Sequence, residues 1–142
     1  MSRKSVNIPA RIIAGLRRQA GAAAPAECCG ALIGSIDERL IDVRSLIPVD
    51  NEAAAPTQYH IDADTVLRLE RQASCAGLQV VGFYHSHPTE SAVPSRTDVD
   101  LAFPGYLYLI VQSDLGTVRG WRLRDDRSGF SELPVTAVAG SA

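Results

Sequence analysis

The sequence predicts an α/β domain in which two main helices pack against one curved, mixed β-sheet. Apolar residues recur at helical spacing in two separate segments, and short runs rich in β-branched and aromatic residues lie between clusters of turn residues. At 142 residues the chain is long enough for a single domain with its own hydrophobic core. We therefore expect one domain over residues 1–142, with its core over about 8–134 and a frayed tail over 135–142.

The first half of the chain predicts one helix and several strands. Ile8, Ile12, Leu16 and Ala20 fall on one face of a helix, and Pro9 suits its first turn. Apolar runs separated by polar turns predict the strands that follow. In chain order, we expect a helix over residues 8–22, strands over 29–34 and 40–48, a polar loop over 49–56 and a short strand over 58–61.

The second half predicts another helix and then further strands. Asp62 or Asp64 can cap this helix, and Gly77 ends it. A turn at Asp114-Leu115-Gly116 separates two of the later strands. After the helix, we expect a strand over residues 78–87, a short helix over 95–102, strands over 106–112 and 117–124, and an edge strand over 131–134.

Composition and charge argue against several functional classes. The chain is 46% hydrophobic and 21% charged, with a formal net charge of −2 and no basic run, so we expect no nucleic-acid or membrane partner. The N-terminal segment has no apolar stretch, which predicts a cytoplasmic protein. Three cysteines, with Cys28 and Cys29 adjacent, predict free thiols in a reducing compartment rather than a disulfide framework.

The segment from His85 to Asp98 carries the most informative pattern of the chain. Side chains two apart on a strand point the same way, so His85 and His87 project two imidazoles from one face. Asp98 adds a carboxylate, which completes a set of two histidines and one aspartate. Three protein ligands leave a fourth position on zinc for water, which is the arrangement of a catalytic site.

Two simpler interpretations of this segment compete with a metal site. Neighbouring histidines are usually polar surface residues, and Ser95-x-x-Asp98 resembles a helix capping box. Against the first, the strand formers 80–84 lead directly into the pair, which contains two of the three histidines of the chain. The second is compatible with metal binding, because a cap would orient Asp98. We therefore predict a metal site.

The spacing of His85, His87, Ser95 and Asp98 resembles that of the JAMM (MPN-plus) zinc metallopeptidases. Glu27, ahead of the strand that opens with Cys29-Gly30, resembles the glutamate of that family. The resemblance covers about residues 8–125. It implies the MPN/JAMM fold, which is cytidine deaminase-like, and one Zn²⁺ per chain held by His85, His87 and Asp98. It also implies that Glu27 is the general acid–base and that Ser95 stabilises the oxyanion.

The resemblance also bears on the substrate. Family members that cleave ubiquitin chains carry long insertions, whereas four residues separate Phe103 from Tyr108 here. The chain resembles compact bacterial members that process sulfur carriers. We therefore expect hydrolysis after the C-terminal Gly-Gly of a small ubiquitin-like protein. The alternatives within the same chemistry are a ubiquitin-type isopeptidase and a general peptidase.

Two further hypotheses belong to other functional classes. A non-catalytic MPN scaffold is the first, although scaffold members have typically lost metal ligands and this chain has the full set. A cysteine hydrolase using Cys28 or Cys29 is the second, although apolar neighbours favour inert packing thiols. Among other residues, we expect His60 beside Tyr59 to be structural and Trp121 to lie in the core or at a surface contact. Thr89 and Glu90 are expected to be solvated or to contact substrate.

Overall fold

The structure is a computed structural model that describes residues 4–51 and 59–139. Within these residues, eight strands and three helices follow one another along the chain. In order, they are β1 Ser5–Pro9, α1 Ala10–Ala23, β2 Cys29–Ile36, β3 Leu40–Val49, α2 Ala63–Cys75, β4 Gln79–His87, α3 Arg96–Leu101, β5 Leu107–Gln112, β6 Val118–Leu123, β7 Phe130–Leu133 and β8 Val135–Val138.

The strands form one mixed sheet in the order β7-β6-β5-β4-β2-β3-β1-β8. The pairs β4–β5, β1–β3 and β1–β8 are parallel, and the remaining pairs are antiparallel. Pro134 is the single residue between β7 and β8, although these strands lie at opposite edges of the sheet. The sheet must therefore curl until its edges approach each other, and the amide of Val6 donates to the Pro134 carbonyl at 2.9 Å. The predicted α/β class and curved, mixed sheet are confirmed.

The sheet separates two buried apolar clusters. One contains the inward face of α1, with members that include Ile12, Leu16, Leu32, Val81, Tyr84 and Leu109. The other contains the inward face of α2, with members that include Leu69, Ala73, Phe83, Tyr108, Ile110 and Trp121. The two predicted main helices therefore pack on opposite faces of the sheet, and burial of both faces accounts for the almost continuous apolar sequence of β4 and β5. None of the described helices is long and apolar enough to cross a membrane.

An irregularity in β4 sets the face to which its later side chains point. The register between β2 and β4 shifts at Val81, which the pairing skips. A bulge of this kind re-aims the side chains that follow it. Beyond it, Tyr84 packs in the α1 cluster and Phe83 in the α2 cluster. Since residues two apart share a face, His85 and His87 lie on the same face as Phe83.

Three sequence-based expectations about local structure are wrong. Ile8 and Pro9 belong to β1, and the first helix begins at Ala10, because this segment pairs in parallel with β3 and β8. Residues 59–61 form no strand. Val135–Val138, expected to be frayed, form β8 through pairing with β1. The remainder of the expected short strand, most of the polar loop and residues 140–142 lie outside the described residues.

The other predicted elements are present within a few residues of the expected bounds. Asp62, one of the two expected caps, is the N-cap of α2, and its carboxylate accepts from the amide of Thr65 at 2.7 Å. Gly77 follows the helix in a left-handed conformation with a φ of 72°. The expected edge strand is β7, which lies at the end of the sheet.

Candidate metal centre

The two histidines lie at the carboxyl end of a strand in the middle of the sheet. β4 runs between β2 and β5, so its backbone hydrogen bonds are satisfied on both sides. His85 and His87 have exposed fractions of 1% and 2%. Their Nε2 atoms are 3.2 Å apart. Burial of two imidazoles this close together requires a compensating group, because unpaired polar atoms are costly inside a protein.

The compensating group is Asp98, which the short helix α3 presents to both rings. One carboxylate oxygen, Oδ2, lies 3.1 Å from each of the two Nε2 atoms. Ser95 caps α3 in a reciprocal arrangement: its Oγ accepts from the Asp98 amide at 3.1 Å, and its amide donates to Asp98 Oδ2 at 2.8 Å. The expected capping box is therefore present, and it holds the carboxylate in place rather than competing with a metal site.

The three facing atoms fit a tetrahedral metal ion. They form a triangle with sides of 3.1–3.2 Å. Ligand atoms about 2.0–2.1 Å from a tetrahedral zinc lie about 3.3 Å from one another. Without a cation, the Nε2 atoms of His85 and His87 would lie 3.2 Å from each other, and both would face the same oxygen of Asp98. The convergence of all three atoms on one point thus favours a cation in that position.

The ionisation states of these groups suit a positive charge. Burial raises the pKa of Asp98, but hydrogen bonds from His85 and His87 outweigh it and hold the pKa below its usual range. Burial lowers the pKa of His85 and so favours the neutral ring. Burial also opposes a charge on His87, but hydrogen bonds to Asp98 and Ser91 raise the pKa of that ring. A neutral His85 ring and an Asp98 carboxyl group with a lowered pKa both suit a site for a cation.

The loop between the ligands is fixed by contacts outside the metal centre. The Ser91 carbonyl accepts a hydrogen bond from Nδ1–H of His87 at 2.8 Å, and this tautomer leaves the lone pair of Nε2 for a metal. Trp121 donates from Nε1 to the neighbouring carbonyl of Ala92 at 3.0 Å. Trp121 is buried in the core, which is one of its two expected locations, and it also anchors this loop.

Glu27 lies beside the ligands but outside their triangle. The antiparallel register pairs Cys29 with His85, and continuation of that register places Glu27 opposite His87. Ser86, between the two histidines, fixes this position: its Oγ accepts from the amide of Cys28 at 2.8 Å, and its amide donates to the Cys28 carbonyl at 3.0 Å. Burial is the main cause that raises the pKa of Glu27 to about 7. A carboxyl group with that pKa exchanges protons readily near neutral pH.

Two cavities meet at this centre. A polar cavity of about 210 Å³ is lined by Glu27, Tyr59, His87, Glu90, Ser95, Thr97 and Asp98. An apolar cavity of about 330 Å³ is lined by Tyr59, His60, Ile61, Phe83, Asp100, Leu101, Ala102, Phe103 and Tyr108. Tyr59 forms part of both walls. Thr89 and Glu90 are both exposed, which agrees with the expectation that they are solvated, and Glu90 also lines the polar cavity.

Comparison with known proteins identifies the family of this chain. A family model described as prokaryotic homologs of the JAB domain matches residues 9–124. The chain belongs to this family. A desampylase of Haloferax volcanii is 41% identical over 117 residues, which cover 80% of this chain and 83% of that protein. A CysO-cysteine peptidase of Mycobacterium tuberculosis is 35% identical over 118 residues, which cover 80% of this chain and 78% of that protein.

The fold of this JAB-family chain also has close structural counterparts. The solution structure of a protein from Desulfitobacterium hafniense superimposes with a TM-score of 0.84 at 25% identity, covering 95% of this chain and 94% of that one. The resemblance to the JAMM family, which the sequence motif predicted, is confirmed by the family match.

Sequence reasoning about this JAB-family chain missed two residues of the centre. The Tyr59 ring stacks on His85 with 4.2 Å between centroids and an interplanar angle of 16°. Asn51 donates from Nδ2 to the Glu27 carbonyl at 3.0 Å. A sequence signal for Asn51 existed, because a hairpin of β2 and β3 brings the end of β3 beside the start of β2. No comparable signal predicted Tyr59, which lies in a segment without regular structure.

The cysteines do not form a nucleophilic site. Cys29 is completely buried, and its thiol lies 3.6 Å from the Val49 carbonyl. Cys28 packs in the α1 cluster, and burial raises the pKa of its thiol. Neither residue lines the polar cavity. The two thiols therefore have the packing role that the sequence favoured over a catalytic one.

We expect the purified protein to contain about one zinc per chain, and His87→Ala to lose it, because two protein ligands cannot hold zinc stoichiometrically. Elemental analysis measures this content. His60→Ala is the matched control, since His60 is an exposed histidine outside the ligand cluster, and it should keep the metal. A full zinc content in the His87→Ala protein would contradict the assignment of the site.

Proposed function

We propose that this protein is a zinc-dependent JAMM peptidase that hydrolyses the bond after a C-terminal Gly-Gly of a small ubiquitin-like sulfur-carrier protein. The observation that carries the proposal is the convergence of His85 Nε2, His87 Nε2 and Asp98 Oδ2 on one point, with Glu27 beside it. The two relatives named desampylase and CysO-cysteine peptidase support hydrolysis of ubiquitin-like or sulfur-carrier proteins.

The residues around the centre provide the remaining chemistry. His85, His87 and Asp98 would hold a zinc ion, which would lower the pKa of water to about 7 and polarise the substrate carbonyl. Glu27 accepts a proton from the attacking water and donates it to the leaving amine, which a pKa of about 7 favours in both directions. Ser95 Oγ already accepts from the Asp98 amide, so its own proton is available for the developing oxyanion.

The positions of the two cavities along β4 indicate which way an extended substrate would run across the centre. Along β4, Glu27 lies level with His87, whereas the apolar cavity lies at Phe83 on the other side of His85. Because Glu27 protonates the leaving amine, the leaving group occupies the Glu27 end. The acyl side of the substrate then extends over the Phe83 end and towards the apolar cavity.

The same geometry favours small residues next to the cleaved bond. Phe83 and His85 are two residues apart, which is about 6.6 Å along a strand. An extended substrate therefore spans about two residues between the metal and the apolar cavity. Side chains on those two residues would meet the ring of Tyr59, which lines both cavities. Glycine at both positions removes that conflict, and the next residue can place an apolar side chain in the cavity.

The alternatives have less support. A non-catalytic scaffold does not need a buried carboxylate and two imidazoles arranged around one point, together with a glutamate of raised pKa. A ubiquitin-chain isopeptidase is the closest competitor. It is disfavoured because α3 and β5 are joined by the short segment 102–106, which leaves no insertion to hold a second ubiquitin.

We expect Glu27→Gln to keep zinc and fold but to slow hydrolysis by about 10²–10⁴-fold, because glutamine cannot transfer the proton. Steady-state kinetics combined with elemental analysis measure both properties. Glu38→Gln, at the exposed turn between β2 and β3, is the control and should retain activity. Wild-type turnover in Glu27→Gln would place the general base elsewhere.

Ser95→Ala should be slowed less than Glu27→Gln and remain measurable, if the hydroxyl stabilises an oxyanion. This substitution also removes the cap of α3, which costs about 1 kcal/mol of stability. Zinc content and thermal unfolding of the same sample separate the two effects. Slow hydrolysis with full zinc content would show that the hydroxyl itself contributes to catalysis. Unchanged kinetics would restrict Ser95 to capping.

Mass spectrometry tests the substrate. A small ubiquitin-like carrier with residues beyond Gly-Gly should be cut directly after the second glycine by the zinc-loaded enzyme. The matched carrier with Ala-Ala at the same positions should be cut at least ten-fold more slowly, because its methyl groups would meet the Tyr59 ring, which lines both cavities. Rapid cleavage of unrelated unfolded peptides, with the carrier left intact, would identify a general peptidase instead.

A further inference from the structure

The two candidate metal-binding histidines are oriented in different ways. A ligating histidine almost always donates its second ring N–H to a carbonyl, a carboxylate or water, which fixes the ring. His87 follows this rule, because its Nδ1 bonds to the Ser91 carbonyl at 2.8 Å. His85 does not: its Nδ1 is buried and has no hydrogen-bond partner among the residues that the structure describes.

An aromatic ring packs on the face of the His85 imidazole. Tyr59 lies parallel to the His85 imidazole, at 4.2 Å between centroids and 16° between planes. Its side chain is itself buried, with 8% of the residue exposed. The torsion that rotates an imidazole about its bond to Cβ is broad, so surroundings must set the ring plane. A stacked, immobile ring restricts that rotation, because turning His85 out of plane would drive it into Tyr59.

We propose that Tyr59 is the positioning residue of His85, fixing the plane of its imidazole so that Nε2 points at the metal. This inference rests on the proposed metal site, but not on the identity of the substrate. His85 Nε2 already lies 3.1 Å from Asp98 Oδ2 and 3.2 Å from His87 Nε2, which is the orientation that a shared ion requires. The aromatic ring, rather than the tyrosine hydroxyl, performs this role.

Hydrogen bonds made just after Tyr59 hold the segment that carries it. The amide of His60 donates to Oδ1 of Asn51 at 3.2 Å. Nδ2 of the same Asn51 donates to the Glu27 carbonyl at 3.0 Å. After Tyr59, Asp62 caps α2 and anchors the chain to that helix. A single asparagine side chain thus links the backbone of the candidate acid–base residue to the segment whose ring orients a metal ligand.

The test is zinc affinity, measured on the full chain by competition with a chromophoric chelator and without any substrate. Tyr59→Phe keeps the ring and should bind zinc within two-fold of wild type. Tyr59→Leu removes the ring but keeps an apolar side chain, and it should bind about ten-fold or more weakly, the loss typical when a residue that orients a ligand is removed. Zinc affinity that is kept in Tyr59→Phe but lost in Tyr59→Leu is the result expected if the ring orients His85.

A second variant covers the case in which Tyr59→Leu fails to fold. Tyr59→Met fills a similar volume without a ring and should weaken zinc binding to the same extent as Tyr59→Leu. Circular dichroism of each variant verifies the fold. Wild-type zinc affinity in a folded Leu or Met variant would overturn the proposal, and so would an equal loss in Tyr59→Phe, since the hydroxyl would then be the active group.

These measurements separate this inference from the proposed function. If the wild-type protein binds no zinc, the proposed function fails together with the site. If wild type and ringless variants bind zinc equally, the role of Tyr59 fails and the proposed function stands. If the ringless variants lose zinc but no carrier is cleaved, the role of Tyr59 stands and the proposed substrate is wrong.

Discussion

The antiparallel pairing of β2 with β4 is the constraint on which the rest of the site depends. It places Glu27 level with His87, and Ser86 secures this alignment with two hydrogen bonds to the backbone of Cys28. The bulge at Val81 sets the face on which both histidines emerge. A slip of one residue in this pairing would turn the histidines towards α1 and separate them from Asp98. The backbone hydrogen bonds between β2 and β4 therefore set the relative positions of these side chains.

The local charges explain why the centre favours a cation. Asp98 is ionised although it is buried, because its carboxylate accepts from two imidazoles and from the amide of Ser95. Glu27 and Glu90 are two further carboxyl side chains that line the same cavity. A metal ion held by His85, His87 and Asp98 would balance the charge of the buried Asp98 carboxylate.

Much of the fold and most of the centre were predictable because their signals are local. The strand pattern before His85, the spacing to Asp98 and the cap at Ser95 lie within 19 residues, 80–98, and the structure contains all three. β1 and β8 were missed for the opposite reason. They form by parallel pairing between opposite ends of the chain, and Ile8 also fits the helical periodicity of α1. Side-chain burial and long-range pairing, rather than propensity, decided those segments.

The same distinction holds within the centre. The candidate ligands His85, His87 and Asp98 could be proposed from sequence spacing, whereas the stack of Tyr59 on His85 depends on a segment that has no regular structure. The anchor of Ala92 by Trp121 depends on two residues 29 positions apart. Contacts that orient ligands come from such distant residues, and sequence reasoning from short patterns does not identify them.

The central claim is that three side chains hold one metal ion beside Glu27. The most direct measurement is anomalous diffraction at the zinc absorption edge from crystals of the zinc-loaded protein. The account predicts one strong peak per chain, about 2.0–2.1 Å from Nε2 of His85, Nε2 of His87 and a carboxylate oxygen of Asp98, with Glu27 outside the ligand set. A peak at the cysteines or elsewhere, or no peak from fully loaded protein, would contradict it.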